Sequence, residues 1–411
     1  MIPLMGVDFN APKTPMTRLT TSPIKKNFVI NWSLTLVLLS LTAISLLSIY
    51  AASPLLVHYL DGSDLLIKQV IWVVISIVSL VALIQLGVDR LFTSIDIVYW
   101  ILIFLLILLV LDKYINLPFI APINGTRAWF YFPGIGSIQP SEFMKAVLII
   151  KSATIISEHI EQNRVANFES DVLLFLKILK FTTLPLILII AQPDTGIPLI
   201  IIMGLIAMLS LSGIQKYWLI GGFGVVIGTI VVFLFLFFFA QEFLVDLVGS
   251  SYRLTRFYGW LKTEDFIRSW GLQLYQSLLA VGSAGFFGHG LGSQVINIIE
   301  PQNDFIFAVI GQNFGFIGTS VVLFLHLTLD LIIIRIIYLN EYYREKIMAV
   351  GLLGMLMFQQ IQNMGMIIGL LPITGITLPF ISAGGSSLLS FIPSIAIIYH
   401  MSHMNQSKKN R

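Results

Sequence analysis

Apolar residues run through this chain in stretches of about twenty, separated by short polar connections. Stretches long enough to cross a bilayer fall near 32–52, 68–88, 93–112, 141–157, 173–191, 196–213, 217–240, 312–337, 347–369 and 379–401. In lipid an open strand cannot satisfy its backbone whereas a helix can, so each stretch predicts a transmembrane helix. The pattern predicts an all-α polytopic membrane protein of about ten spans, with one long connection, 241–305, between spans seven and eight. Inside that connection, residues 278–291 read LLAVGSAGFFGHGL, apolar but broken by glycine. Such a segment suits a re-entrant or interfacial position better than a span. The last span opens with LPITGITLPFISAGGSS, 371–387, whose prolines and glycines need protein or water around them, as in the wall of a cavity.

Composition removes the soluble alternatives. Hydrophobic residues make up 57% and charged residues 11% of the chain, against about 25% charged in soluble globules. With no cysteine, disulfides, thiolate metal sites and a cysteine nucleophile are all excluded. The net charge of +3 matters less than its placement. Lys13, Arg18, Lys25 and Lys26 precede the first span, and that segment has no cleavable signal pattern. Arg90, Arg164, Lys216, Arg335, Arg344 and Lys346 fall in alternate connections, and Lys408, Lys409 and Arg411 end the chain. The positive-inside rule then places both termini in the cytoplasm. The expected division is a cytoplasmic tail 1–31, a membrane domain 32–402 with its outer loop 241–305, and a cytoplasmic tail 403–411. Nothing in the sequence points to nucleic acid; the surroundings are membrane lipids.

Ionisable groups at the edge of a bilayer are costly and therefore informative. In NGTRAW, 124–129, Arg127 and Trp129 follow a turn signal and read by themselves as an interfacial anchor pair. QPSEFMK, 139–145, has a helix start at Pro140, with Glu142 and Lys145 sharing a face. AQPDTG puts Asp194 in a short turn at similar depth, so Lys145 and Asp194 could pair across helices, as a structural ion pair or as part of a ligand site. The long connection carries Arg253, Arg256, Lys262 and Arg268, which are either solvated or a basic cluster for an anionic ligand. Glu300 and Asp304 stand four apart just before the eighth span, on one face if that segment is helical. His400 and His403 share a face, but two histidines do not make a metal site.

Taken in order, NGTRAW, QPSEFMK, AQPDTG, LYQSLLAVGSAGFFGHGLG, NDFIFAVIG and LPITGITLPFISAGGSS resemble the SEDS family of shape, elongation, division and sporulation proteins, which includes RodA, FtsW and SpoVE. The likeness runs from the first span to the last. It implies a ten-span fold in the bacterial cytoplasmic membrane and a peptidoglycan glycosyltransferase that polymerises lipid II on the outer side. It also implies a partner, a class B penicillin-binding protein that cross-links the strands. By the same resemblance Asp304 matches the essential acid of the outer loop and Trp129 the important tryptophan of the first motif. Glu142, Lys145 and Asp194 match polar residues around a central cavity, and Gln276 lies in the matching LYQSLL segment.

On that reading Asp304 is the general base for the acceptor sugar's 4-hydroxyl, and the leaving group is a polyprenyl diphosphate. A diphosphate departs as a stable anion, so it needs positive charge rather than a second acid. Arg127, Arg253, Arg256, Lys262 or a divalent cation, Mg or Mn, are the candidates for that charge; the sequence dictates no cofactor. Glu300 would raise the basicity of Asp304 by repulsion. A lipid II flippase and a scaffold that only recruits the transpeptidase are the alternatives. The chain departs from the family's common pattern at Asn303, Gln312, Asn313 and Ala383, where Thr, two Glu and Tyr are usual.

Overall fold

A computed structural model describes residues 28–56, 61–120, 126–132, 134, 136–162, 167–241, 243 and 251–409, without the side chains of 251–253 and 408–409. The tail 1–27, Asn124, Gly125, Arg164 and Arg411, and the side chains of Arg253, Lys408 and Lys409, lie outside the described residues.

Every stretch expected to span the bilayer carries a helix. These are α1 (Trp32–Ala52), α2 (Gly62–Leu86), α3 (Val88–Ile115), α4 (Pro140–Gln162), α5 (Phe168–Ala191), α6 (Gly196–Ser210) and α7 (Lys216–Phe239). After the long connection come α10 (Ile306–Leu339), α11 (Tyr343–Ile367) and α12 (Gly385–Lys409). The starts follow from short polar side chains that satisfy free N–H groups. Asn31 accepts from Leu34 N–H, Asp61 from Ser63 N–H and Asn167 from Ser170 N–H. Eight of these helices are long and apolar enough to cross a membrane by themselves. The other two are α4, which carries Glu142, Lys145 and Lys151, and α6, which has only 15 residues.

Those two exceptions mark the centre of the bundle. In α4 every residue from Met144 to Ala153 is buried, as expected of a helix covered on all sides by others. It packs on α3, α5, α6, α11 and α12. Helix α6 lies against α11 at a small-residue interface, where a Cβ on Gly204 would meet Met355 and one on Gly354 would meet Ala207. Helix α7 is the opposite case. Only Phe237 of it is buried, and its apolar surface is left for lipid.

The long connection is more ordered than a loop. It holds α8 (Ser251–Leu261), a 3₁₀ turn (Thr263–Phe266) and α9 (Leu272–Ser283). The glycine-broken stretch after α9 does not span. It pairs with α10 where that helix breaks at Gly315, whose φ of 63° lies in the left-handed region. Phe316 and Ile317 N–H donate to the carbonyls of Gly285 and Phe286, while His289 and Gly290 N–H donate to those of Gln312 and Asn313. Backbone groups freed by the break are thereby satisfied inside protein.

The last span begins later than expected, at Gly385 instead of 379. Residues 372–384 form an irregular segment with a tight turn near 380, and side chains from the surrounding helices hold its backbone. Ser45 Oγ donates to Ile381 O at 2.7 Å, Gln362 Nε2 to Pro372 O at 2.8 Å and Asn363 Nδ2 to Ile376 O at 2.8 Å. Gln69 Oε1 accepts from Gly384 N–H at 3.3 Å, and His326 Nε2 is 3.1 Å from Pro379 O. These polar residues inside apolar helices exist to satisfy a backbone that no helix satisfies.

Candidate active site

A short antiparallel hairpin, β1 (Phe130–Phe132) and β2 (Gly136–Ile138), precedes α4. Phe130 pairs with Ile138, which sets Trp129 and Gln139 side by side at its open end. Both line a cavity of about 390 Å³. Into the same cavity come Glu142 from the first turn of α4, Asp194 from the α5–α6 turn, Arg256 from α8, and Glu300 and Asp304 from the turn before α10. Gly375 and the stretch 383–387 close the remaining wall. The N-termini of α4, α6 and α12 all open onto this space, so their free N–H groups and dipoles favour negative charge there.

Each charged group has a definite setting. Asp194 accepts from Gln139 Nε2 at 2.9 Å and from the backbone N–H groups of Gly196 and Ile197 at 3.1 and 3.2 Å, so it fastens the start of α6. Burial raises its pKa and nearby Glu142 adds to that, while these hydrogen bonds pull the other way. Lys145 is fully buried, forms an ion pair with Glu142 and lies 4.0 Å over the ring of Phe391. The expected pairing of Lys145 with Asp194 is therefore not what forms. The i, i+3 neighbour on its own helix reaches it first.

Asp304 is half-buried in the cavity wall. Burial raises its pKa to about 6, with the charge of Glu300 adding and Arg256 opposing. Glu300, itself at a left-handed φ of 52°, accepts from Gln302 Nε2 and Asn303 Nδ2 at 3.0 Å. The two acids thus share a turn rather than a helical face, because the helix starts only at Ile306.

The basic residues do not converge as expected. Among the described residues only Arg256 of the outer-loop cluster lines the cavity. Helix α8 aims it there by docking Phe257 and Tyr258 onto Phe233 and Phe237 of α7, and by Trp260 Nε1 donating to Gly369 O at 2.9 Å. Lys262 and Gln276 are not in the lining, and Arg253 lies outside the described side chains. Arg127 turns away, onto Asp112 at 2.7 Å. Among the described residues no three His, Asp or Glu side chains gather as a metal site.

Sequence reading passed over Gln359, Asn363, His326 and Asp330. Gln359 lines the cavity; the other three are buried nearby in α10 and α11. Each is a polar residue inside an apolar stretch, which was the available signal.

A largely helical membrane domain with an acid-lined cavity at the N-termini of several helices defines the class, a polytopic membrane protein with its candidate site at one end of the bundle. The family of FtsW, RodA and SpoVE cell cycle proteins matches residues 31–407, and the chain belongs to it. It is 32% identical to stage V sporulation protein E of Bacillus subtilis strain 168, over 91% of this chain and 97% of that protein. It is 30% identical to a probable peptidoglycan glycosyltransferase FtsW of Trichlorobacter lovleyi, over 90% and 92%. The fold is also that of RodA from Thermus thermophilus, with a TM-score of 0.62 at 22% identity over 92% and 97% of the two chains. A chain from a peptidoglycan synthase complex that coordinates polymerization and crosslinking superposes with a TM-score of 0.71, at 22% identity over 92% and 98%.

Proposed function

We propose that this chain is a peptidoglycan glycosyltransferase that joins lipid II units at the outer face of the bacterial cytoplasmic membrane, with Asp304 as general base. The observation that carries the reading is the placement of Asp304 in the cavity wall, with its pKa raised to about 6 by burial and by Glu300. A carboxylate of that basicity is ionised at neutral pH and still accepts a proton usefully. It takes the proton of the acceptor's 4-hydroxyl as that oxygen attacks the donor's anomeric carbon. The bond to the polyprenyl diphosphate breaks, and the configuration inverts from α to β.

The leaving anion meets Arg256 and the converging helix N-termini rather than the broad basic cluster expected from the loop. The lipid tail stays in the bilayer. Trp129 offers an aromatic face to a sugar ring, and Glu142, ion-paired with Lys145, adds an acid to the cavity wall. The orientation that follows puts both termini in the cytoplasm and the 241–305 segment outside, within a single membrane domain, 32–402. A class B penicillin-binding protein is the proposed partner, in keeping with the synthase complex whose chain shares this fold.

The test is purified protein, with and without a cognate transpeptidase, given labelled lipid II and scored for glycan polymer. Polymer from the wild type and none from Asp304→Asn is the expected result. Wild-type polymer from Asp304→Asn removes the base assignment. Transbilayer movement of lipid II without polymer makes the chain a flippase, and complementation of a deletion strain by Asp304→Asn makes it a scaffold.

A further inference from the structure

Asp304 stands on a turn outside any helix, yet a general base must be held within hydrogen-bond reach of the proton it removes. The backbone of that turn is pinned at three consecutive carbonyls. Gln302 O accepts from Ala383 N–H at 2.9 Å, Asn303 O from Ser382 Oγ at 2.8 Å, and Asp304 O from Asn363 Nδ2 at 2.8 Å.

Both side chains in this ladder are tied a second time. The other hydrogen of the Asn363 amide goes to Ile376 O at 2.8 Å, and Ser382 Oγ accepts from Leu378 N–H at 2.8 Å. Asn363 is fully buried on α11 and Ser382 is 8% exposed, and neither lines the cavity. They therefore do not touch substrate. They link the turn bearing the carboxylate to the wall at Gly375, where an added Cβ would lie 3.4 Å from Asp304 Oδ2.

We propose that Asn363 and Ser382 are positioning residues for Asp304, setting where its carboxylate stands against the Gly375 wall; this rests on Asp304 being the base. A primary amide is suited to the first position because its two N–H groups diverge onto two carbonyls. Serine in its place offers one donor and aspartate none. Displacing a reacting group by about 1 Å costs on the order of 100-fold in rate, so the loss belongs to turnover rather than to substrate affinity.

The experiment measures kcat and KM for lipid II, and the pH–rate profile, on folded monodisperse Asn363→Ser, Ser382→Ala, Ser382→Thr and Asp304→Asn. Expected for Asn363→Ser and Ser382→Ala is a fall in kcat of about 10–100-fold with KM within about twofold, together with a displaced acid limb as the setting of Asp304 changes. Ser382→Thr keeps the hydroxyl and restores most of the rate. Wild-type kcat in Asn363→Ser and Ser382→Ala, or a loss confined to KM or to Tm, overturns the proposal. If Asn363→Ser does not fold, Ser382→Ala and its threonine rescue decide alone. Should Asp304→Asn keep wild-type rates, the base reading itself fails. If Asp304→Asn is dead while both clamp variants turn over normally, only the positioning fails.

Discussion

Arg127 Nη1 lies 2.7 Å from the Asp112 carboxylate, and the same nitrogen donates to Asp112 O at 2.9 Å and Asn116 Oδ1 at 3.0 Å. The side chain of Asp112 is 1% exposed, so the pair ties the hairpin loop to the end of α3 and leaves Arg127 no reach into the cavity. Arg127→Ala is expected to lower stability by about 2 kcal/mol, the worth of a charge-assisted bond at a partly exposed site. Adding Asp112→Asn recovers part of it. Melting in detergent checks both. KM for lipid II stays near wild type; a large rise in KM would return Arg127 to the substrate site.

The activity of Asp304 depends on its being ionised, so the rate rises with pH through about 6 and is lost below it. Glu300→Gln removes the repulsion and moves this limb to lower pH, whereas Arg256→Gln moves it higher. A pH–rate profile of the three proteins shows the order. An unmoved limb in both variants would detach it from Asp304.

The same shift has a stability consequence of opposite sense. The folded state binds the Asp304 proton more tightly than an unfolded chain with its pKa of 3.8, so stability from this group falls as pH rises from about 4 through 6. At neutral pH the buried, ionised carboxylate is a cost. Asp304→Asn is therefore expected to raise Tm at pH 7.5, with the gain vanishing below about pH 4, while polymerisation is abolished.

Gly375 has φ 73° and stands against Asp304. Gly375→Ala adds about 1–2 kcal/mol of left-handed backbone strain and sets a methyl against Oδ2 on the cavity side. A fall in kcat of about tenfold or more is expected. Equal losses from Gly87→Ala, also at positive φ but away from the cavity and with open space around an added Cβ, would make the effect one of backbone strain alone.

Gln312 is fully buried, and both ends of its amide are used. Oε1 accepts from Ile296 N–H at 2.9 Å, and Nε2 donates to Ser293 O at 3.0 Å. Glutamate, usual here in the resembling family, cannot make the second bond when ionised. Gln312→Glu should cost about 3–5 kcal/mol as a buried uncompensated charge, read as a lower Tm.

Much of the site was legible. Motif order pointed to Trp129, Glu142, Asp194 and Asp304, spacing added Glu300, and all five line one cavity with Arg256, one of several basic residues of the long connection. The partners of Arg127 and Lys145 were not legible, because a long cation can reach several acids at similar depth and packing selects among them. Asp112 and Glu142 are those choices. Nor did the loop's basic content reveal which residue faces inward; the docking of α8 on α7 and on Gly369, just past α11, aims Arg256.

By itself the sequence determined that this chain lies in lipid, where its helices run and which carboxylate stands at the mouth of the eighth span. Hydropathy fixes the first two because lipid forces each apolar stretch to satisfy its own backbone; the carboxylate follows from its place in the motif order. Tertiary structure alone decided where the last helix starts, how the glycine segment enters the break at Gly315 and what holds the Asp304 turn. Irregular backbone cannot satisfy itself, so its course is set by partners far away in sequence: Ser45, Gln69, His326 and Asn363.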